Sequence, residues 1–264
     1  VTGAHDVDIE WFLALPVEQV AAGSILVDLL EGISAGTGMG FEVQVCSVED
    51  PHHTWEGIFR SIGMCLAELE TGRGQRPTGL GGGAMATDGK LENIVVSDAL
   101  DSGFGWTYEM ITSLGGRVRR ETAESVVEIE VDLAEGAGCR AEFDVSDSIA
   151  VDGLEELLDG LARAAGLSLV VKFHASELSS SHVVAEDIGL AFGKLLLKVA
   201  ELRWQSVGMT GAGSSLRSPD DLAAVARVAL SVEGRKFWKF VSLNSSYAEM
   251  RKRLLVGQTI AENL

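Results

Sequence analysis

The chain is poor in the residues that disulfide-stapled and nucleic-acid-binding proteins use most. Its 264 residues include three cysteines, four prolines and 6% aromatic residues, and Lys and Arg number 21 against 39 for Asp and Glu. Three cysteines without close spacing do not form a disulfide framework or a zinc knuckle. The net charge of −18 argues against electrostatic binding to nucleic acid or anionic lipid.

Long hydrophobic runs are also missing. No uninterrupted apolar stretch approaches the roughly 18 residues of a membrane helix, and the first residues lack the basic and apolar regions of a secretory signal. We therefore expect a cytoplasmic protein. With 46% hydrophobic residues and a mean hydropathy of +0.20, the chain still has enough apolar material for one or two packed cores.

The most informative feature of the sequence is an internal repeat. Residues 28–34 (DLLEGIS), 41–45 (FEVQV) and 52–58 (HHTWEGI) are echoed by residues 156–162 (ELLDGLA), 169–173 (LVVKF) and 182–188 (HVVAEDI). In each copy the hydrophobic spacing is typical of a helix, a strand and a second helix. The repeat predicts an α+β fold made of two related sheet-plus-helix units.

The remaining strands are predicted as two hairpins. One would join residues 127–133 to 139–145 through a glycine-containing turn, and the other would join residues 224–232 to 237–243. Residues 1–83 are expected to form the first half of the chain, 84–116 a linker or extra segment, and 117–264 the second half.

Each copy of the repeat also carries a histidine followed four residues later by a glutamate. The pairs are His52 with Glu56 and His182 with Glu186, whereas His53 lies about 100° further round its helix. Residues i and i+4 share a helix face, so an imidazole and a carboxylate can bind one ion. A single pair is more often a surface ion pair. Its repetition favours a metal site formed by two helices, within one chain or between subunits.

These motifs resemble those of imidazoleglycerol-phosphate dehydratase, the manganese lyase of histidine biosynthesis, which has two H-H-x-x-E motifs in a duplicated α+β fold. Residues 52–60 (HHTWEGIFR) are similar to the family's second motif, 182–187 (HVVAED) to its first, and 120–125 (RETAES) to its opening R-x-T-x-E-T. Residues 218–221 (SPDD) and 233–235 (EGR) are similar to its P-M-D-E and S-G-R. The order is reversed, as in a circular permutation. The resemblance implies a ribosomal protein S5 domain 2-like fold.

The resemblance also implies two metal sites, for manganese or alternatively magnesium, each mixing ligands from both halves. One would comprise Asp28, His53, His182 and Glu186; the other would comprise Glu156, His52 and Glu56, with Val183 in place of a ligand. The implied catalytic residues are Glu124 and Glu186, and the implied substrate-binding residues are Arg120 and Arg235, while Gly211 replaces a family arginine.

Three functions remain open from the sequence. They are a divergent dehydratase acting on an imidazole-bearing phosphate, a lyase with a changed substrate, and a noncatalytic relative that binds a metal or ligand. Val183 and Gly211 favour the last two, whereas Glu124 and Arg235 favour a lyase. We predict a metal-dependent carbon–oxygen lyase, a dehydratase, acting on a small molecule. Because the family's sites lie at subunit junctions, we also expect a homo-oligomer.

Overall fold

The structure, a computed structural model, describes residues 4–5, 23–47, 51–70, 105–134, 136–149, 151, 153–175, 180–206, 212–217, 225–231 and 237–242. Its elements, in chain order, are β1 (Ala4–His5), α1 (Gly23–Thr37), β2 (Gly40–Ser47), α2 (Pro51–Glu70), β3 (Trp106–Thr112), β4 (Gly115–Glu121), β5 (Ser125–Asp132), β6 (Gly138–Asp144), α3 (Leu154–Ala165), β7 (Ser168–Ala175), α4 (Ser181–Ser206), β8 (Ala212–Arg217), β9 (Val225–Ser231) and β10 (Phe237–Ser242). Among these residues no helix is both long enough and apolar enough to span a membrane.

The strands form two five-stranded sheets, each associated with two helices. The first sheet has the order β1-β10-β2-β9-β8 and the second has the order β3-β4-β5-β7-β6. Helix α2 packs on the first sheet and α4 on the second, while α1 packs against α4 and α2 against α3. Leu29, Phe59, Leu158 and Ile188 are among the buried side chains of one core that both units share. The predicted α+β class with two sheet-plus-helix units is confirmed.

The two units repeat the same arrangement around a central strand. In the first unit β2 runs parallel to β10 and antiparallel to β9, and in the second unit β7 runs parallel to β6 and antiparallel to β5. Each central strand is preceded and followed by a helix, in the order α1-β2-α2 and α3-β7-α4. The structure therefore agrees with the duplication read from the sequence.

The predicted hairpins are wrong in their pairing, although their strands exist. Strand β7 lies between β5 and β6, and strand β2 lies between β9 and β10. The alternation of apolar residues identifies a strand but carries no information about its neighbours. In the structure β2 is the third of five strands in its sheet and β7 is the fourth, and each has a hydrogen-bonded neighbour on both sides.

The two sheets also divide the chain differently from the predicted boundaries. Strands β8, β9 and β10 complete the sheet of the first unit, although they belong to the predicted second half, 117–264. Strand β3, from the predicted extra segment 84–116, is an edge strand of the second sheet. The first unit therefore takes β1, the elements from α1 to α2 and the strands β8 to β10, whereas the second takes the consecutive elements from β3 to α4.

Candidate functional site

Helices α1 and α4 cross with their backbones in direct contact at glycines. A Cβ atom built on Gly32 would lie 2.7 Å from the carbonyl oxygen of Glu186, and one on Gly189 would lie 2.1 Å from that of Leu29. Gly36 and Gly193 make the same kind of contact one turn further along. Only residues without a side chain allow this approach. The signal in the sequence is a G-x-x-x-G spacing in each helix, and our sequence analysis did not use it.

This crossing places the histidine of one unit against a carboxylate of the other. Nδ1 of His182, on α4, lies 2.7 Å from Oδ2 of Asp28 on α1, and Nε2 of the same ring lies 3.4 Å from Oε2 of Glu186. Because a carboxylate can only accept a hydrogen bond, Nδ1 is the ring nitrogen that donates to Asp28. The hydrogen bond to Asp28 is the main cause that raises the pKa of His182, while partial burial opposes it.

The geometry of the ring separates the roles of the two carboxylates. Asp28 and Glu186 contact different nitrogens of His182, so Asp28 does not share the Nε2 side of the ring with Glu186. An imidazole that binds a metal through one nitrogen commonly donates its other N–H to a carboxylate. Asp28 has the position of such an orienting carboxylate, and its assignment as a metal ligand stays a prediction. His182 remains 57% exposed, so its Nε2 side is open to solvent.

The second predicted donor set is not assembled in the same way. Glu56 forms an ion pair with Arg60, and the ring of His52 meets that of His53 edge to face, with ring centroids 5.4 Å apart. Glu156 is exposed in the first turn of α3. Among the residues that the structure describes, no hydrogen bond or ion pair joins Glu156 to His52 or to Glu56.

A difference in helix packing explains this asymmetry. Gly160 on α3 corresponds to Gly32 on α1, but a Cβ there would meet only the side chain of Arg60, at 3.6 Å from its Cγ, and no backbone atom within 4 Å. Phe59 stands on α2 where α4 has Gly189, and its side chain is fully buried. Gly63 of α2, one turn further along, does lie against α3, because a Cβ there would lie 2.2 Å from the Leu161 carbonyl oxygen. The close backbone contact at Gly32, near Asp28, therefore has no counterpart at Gly160, near Glu156.

The predicted metal ligands match a divalent cation in type but not in number within one chain. Across the described ranges, no group of three or more His, Cys, Asp or Glu side chains is arranged to hold a metal ion. His182 Nε2 and Glu186 supply two donors at one point, and Val183 beside them is half-buried and offers none. A mononuclear site requires about four ligands, including water. The described residues of one chain therefore do not assemble a four-ligand site.

The residues implied as catalytic and substrate-binding are placed as follows. Glu124 is exposed in the turn between β4 and β5. The Arg120 guanidinium pairs with Asp187 on α4 and lies 5.6 Å from the ring centroid of Trp106. Arg235 and Gly211 lie outside the described residues.

Sequence reasoning missed Asp187 and Ser125. Asp187 is only 6% exposed, and its second carboxylate oxygen accepts a hydrogen bond from the hydroxyl of Ser125, which is 3% exposed. The available signal was an aspartate on the apolar face of α4, between Val184 and Ile188. A charged residue at such a position is rarely buried without a partner.

Comparisons with known proteins point to one family. No family model matches the chain. The chain is 31% identical over 120 residues to imidazoleglycerol-phosphate dehydratase of Dinoroseobacter shibae and 34% identical over 122 residues to that of Xanthobacter autotrophicus. Both alignments cover 46% of this chain and 56% of the relative, so the chain spans about half the length of the curated relatives it matches.

Solved structures give a looser similarity. A crystal structure of IGPD from Pyrococcus furiosus, in complex with (S)-C348, is 15% identical, with a TM-score of 0.38 over 76% of this chain and 85% of that one. The imidazoleglycerol-phosphate dehydratase of Staphylococcus aureus is 16% identical, with a TM-score of 0.40 over 79% of this chain and 89% of that one. The sequence matches therefore show that about half of this chain is similar to imidazoleglycerol-phosphate dehydratases.

Proposed function

We propose that the protein is a metal-dependent dehydratase that removes water from a small polar substrate. The observation that carries the proposal is His182, held by a carboxylate at each ring nitrogen, one from either unit of the fold. The relatives named imidazoleglycerol-phosphate dehydratase support the reaction class, with an imidazole phosphate as the first substrate to test. The cytoplasmic location stays a prediction from the sequence.

The proposed cation, manganese or magnesium, would be held by His182 Nε2 and Glu186. When bound, a divalent ion supplies Lewis acidity at the reacting centre. Asp28 keeps the proton on Nδ1, so that the Nε2 lone pair is directed toward the ion and the ring is more basic. Because the described residues of one chain bring two donors to this point, we propose that the remaining ligands, with His53 as a candidate, come from a second copy.

Loss of water from a carbon skeleton also requires one group that takes a proton from carbon and one that protonates the departing hydroxyl. We assign these roles to Glu186 and Glu124, two exposed carboxylates. Arg235 remains the proposed anchor for an anionic group of the substrate. Arg120 is used inside the protein and is no longer proposed as a direct substrate contact, because its guanidinium is paired with Asp187.

A noncatalytic relative is the second candidate, and specific observations favour it. Glu56 is paired with Arg60, Glu156 is exposed, and Val183 cannot bind a metal. Half of the duplicated donor set is therefore not organised for a cation within one chain. A protein that uses the fold for ligand binding alone would retain the helix crossing and would show no turnover.

The test compares His182→Ala with His174→Ala. His174 is a matched control, because its Nδ1 also lies 2.7 Å from a carboxylate, Oδ2 of Asp144, and its side chain is 62% exposed. Manganese content and turnover of imidazoleglycerol phosphate are measured for both variants and the unaltered protein. We expect His182→Ala to lose bound manganese and turnover, and His174→Ala to keep both. Equal effects of the two variants would contradict the proposed site.

A companion variant, Asp28→Asn, tests the orienting carboxylate. Removing a carboxylate that holds a metal-binding imidazole typically weakens metal binding by about 10–100-fold. We expect this loss in a manganese titration of Asp28→Asn, with Glu186 unaltered. An unaltered protein that binds manganese but does not dehydrate imidazoleglycerol phosphate would favour a changed substrate. One that neither binds manganese nor shows turnover would favour the noncatalytic relative.

A further inference from the structure

A buried carboxylate connects the second sheet to the helix that carries His182. Asp187, on α4, pairs through one oxygen with Arg120 of β4 and through the other with the hydroxyl of Ser125 at the start of β5. The indole of Trp106 lies against the same guanidinium. A buried charge is tolerated only when it is paired and hydrogen-bonded, and here both oxygens of Asp187 have partners.

Ser125 also closes the turn between β4 and β5. The Thr122 backbone N–H donates to the Ser125 carbonyl at 2.9 Å, and the Ser125 backbone N–H donates to Oγ1 of Thr122 at 3.0 Å. The backbone N–H of Glu124 donates to the same Oγ1 at 3.2 Å. These bonds join Thr122, Glu124 and Ser125 within one turn, so a displacement of Ser125 also displaces Glu124.

The residues next to Ser125 and Asp187 in the sequence relate their hydrogen bond to the proposed function. Glu124 immediately precedes Ser125, and Glu186 immediately precedes Asp187. The two exposed carboxylates that we assign to proton transfer are therefore each the neighbour of one end of a single buried hydrogen bond. We propose that Asp187 is a positioning residue that fixes the β4–β5 turn, and with it Glu124, relative to Glu186. This inference rests on the proposed function.

A purely structural role for Asp187 would have different consequences. In that case, loss of the bond to Ser125 would lower stability without a selective effect on turnover. Positioning predicts instead that the turnover number falls while metal content and KM stay close to those of the unaltered protein, since displacement of a catalytic group by about 1 Å can cost roughly 100-fold in rate. It also predicts that only the variants that break the connection loosen the turn.

The experiment uses Ser125→Ala, which removes the hydroxyl and leaves Asp187 paired with Arg120. Ser125→Thr keeps the hydroxyl and is the conservative rescue. Arg119→Ala is the control, because Arg119 pairs with Glu121 and Glu128 at an exposed site one residue from Arg120. Amide hydrogen exchange of residues 122–125, kcat, KM and manganese content are measured for each full-length variant.

We expect faster exchange in the turn and a kcat lowered at least about tenfold in Ser125→Ala, with KM within about twofold, and a return toward the unaltered values in Ser125→Thr. Unchanged exchange in Ser125→Ala, or faster exchange with unchanged kcat, would overturn the proposal. An unaltered protein without turnover would refute the proposed function instead. Hydrogen exchange then still tests whether Asp187 holds the β4–β5 turn through Ser125. Faster exchange of residues 122–125 in Ser125→Ala but not in Arg119→Ala supports this connection, and equal exchange in the two variants overturns it.

Discussion

Substitution of Gly32 by alanine should separate the two helices that form the candidate site. The new Cβ would lie 2.7 Å from the Glu186 carbonyl oxygen and 2.8 Å from the Leu190 backbone nitrogen, whereas ordinary contact begins at 3.4 Å. The helices must therefore move apart by about 3.4 − 2.7 = 0.7 Å. Both obstacles are backbone atoms of α4, so no side chain can rotate away to make room.

The expected loss of stability follows from two opposing effects. Overpacking of this kind costs about 1–3 kcal/mol, and the higher helix propensity of alanine returns about 1 kcal/mol. We expect Gly32→Ala to unfold with a free energy lower by about 1 kcal/mol. The matched control is Gly160→Ala at the equivalent position of α3, where a Cβ would meet only the flexible Arg60 side chain at 3.6 Å. That variant should gain about 1 kcal/mol.

The same movement should reach His182. Its bond to Asp28 would lengthen from 2.7 Å toward about 3.4 Å if the displacement is transmitted in full, beyond the usual range of N–H···O bonds. Since that bond is the main cause of the raised pKa of His182, the pKa should fall toward the ordinary value of about 6.5.

Urea unfolding of both variants and an NMR titration of the His182 ring provide the measurements. The reasoning is refuted if Gly32→Ala is as stable as Gly160→Ala, or if it leaves the pKa of His182 unchanged despite its lower stability. A smaller loss of stability with a clear fall in pKa would still agree with the packing described above, because part of the strain can relax along the helices.

Three further predictions concern pH, thiols and metal content. Because folding raises the pKa of His182, the bond to Asp28 contributes fully to stability below about pH 6.5, and its charge contribution is lost as the pH rises through the pKa of the folded state. In urea unfolding, Asp28→Asn should therefore destabilise the protein more at pH 5.5 than at pH 9. A destabilisation that does not depend on pH would contradict this. Burial, with smaller contributions from nearby carboxylates, raises the pKa of Cys65 and of Cys139 to about 12. Iodoacetamide at pH 8 should therefore label these two thiols only after the protein is unfolded, as detected by mass spectrometry. Rapid labelling of the folded protein would contradict this prediction. Elemental analysis should give close to one manganese per chain, because among the described residues the predicted donors come together only around His182. A ratio of two would show that His52 and Glu56 also bind.

Local patterns in the sequence predicted the elements of the fold well. The repeat indicated helices at residues 28–34, 52–58, 156–162 and 182–188, and these segments lie in the helices at 23–37, 51–70, 154–165 and 181–206. The helical spacing of apolar residues involves positions that are close in the sequence, so it can be recognised in a short segment. The order of strands in the first sheet depends on residues more than a hundred positions apart. For that reason the insertion of β2 between β9 and β10 could not be read from alternation.

The candidate site could be predicted only in part. The repeat placed Asp28 and His182 at corresponding ends of two helices, and the structure brings them within hydrogen-bonding distance. The same argument paired Glu156 with His52, where the structure shows no such bond among the described residues. What differs is the glycine content at the two helix crossings. Which nitrogen of an imidazole meets which carboxylate depends on side-chain orientation, and residue spacing alone does not determine it.

The interleaving of the two sheets has a consequence for biosynthesis. The second unit, from β3 to α4, is one continuous stretch of the chain. In the first unit, β2 lies between two strands that come roughly 180 residues or more later in the sequence. During translation the continuous unit can complete its hydrogen bonding first. Helices α1 and α2, made earlier, must keep their apolar faces covered, by α4 and α3 or by a chaperone, until the last strands emerge. We therefore expect chains that end before β8 to aggregate.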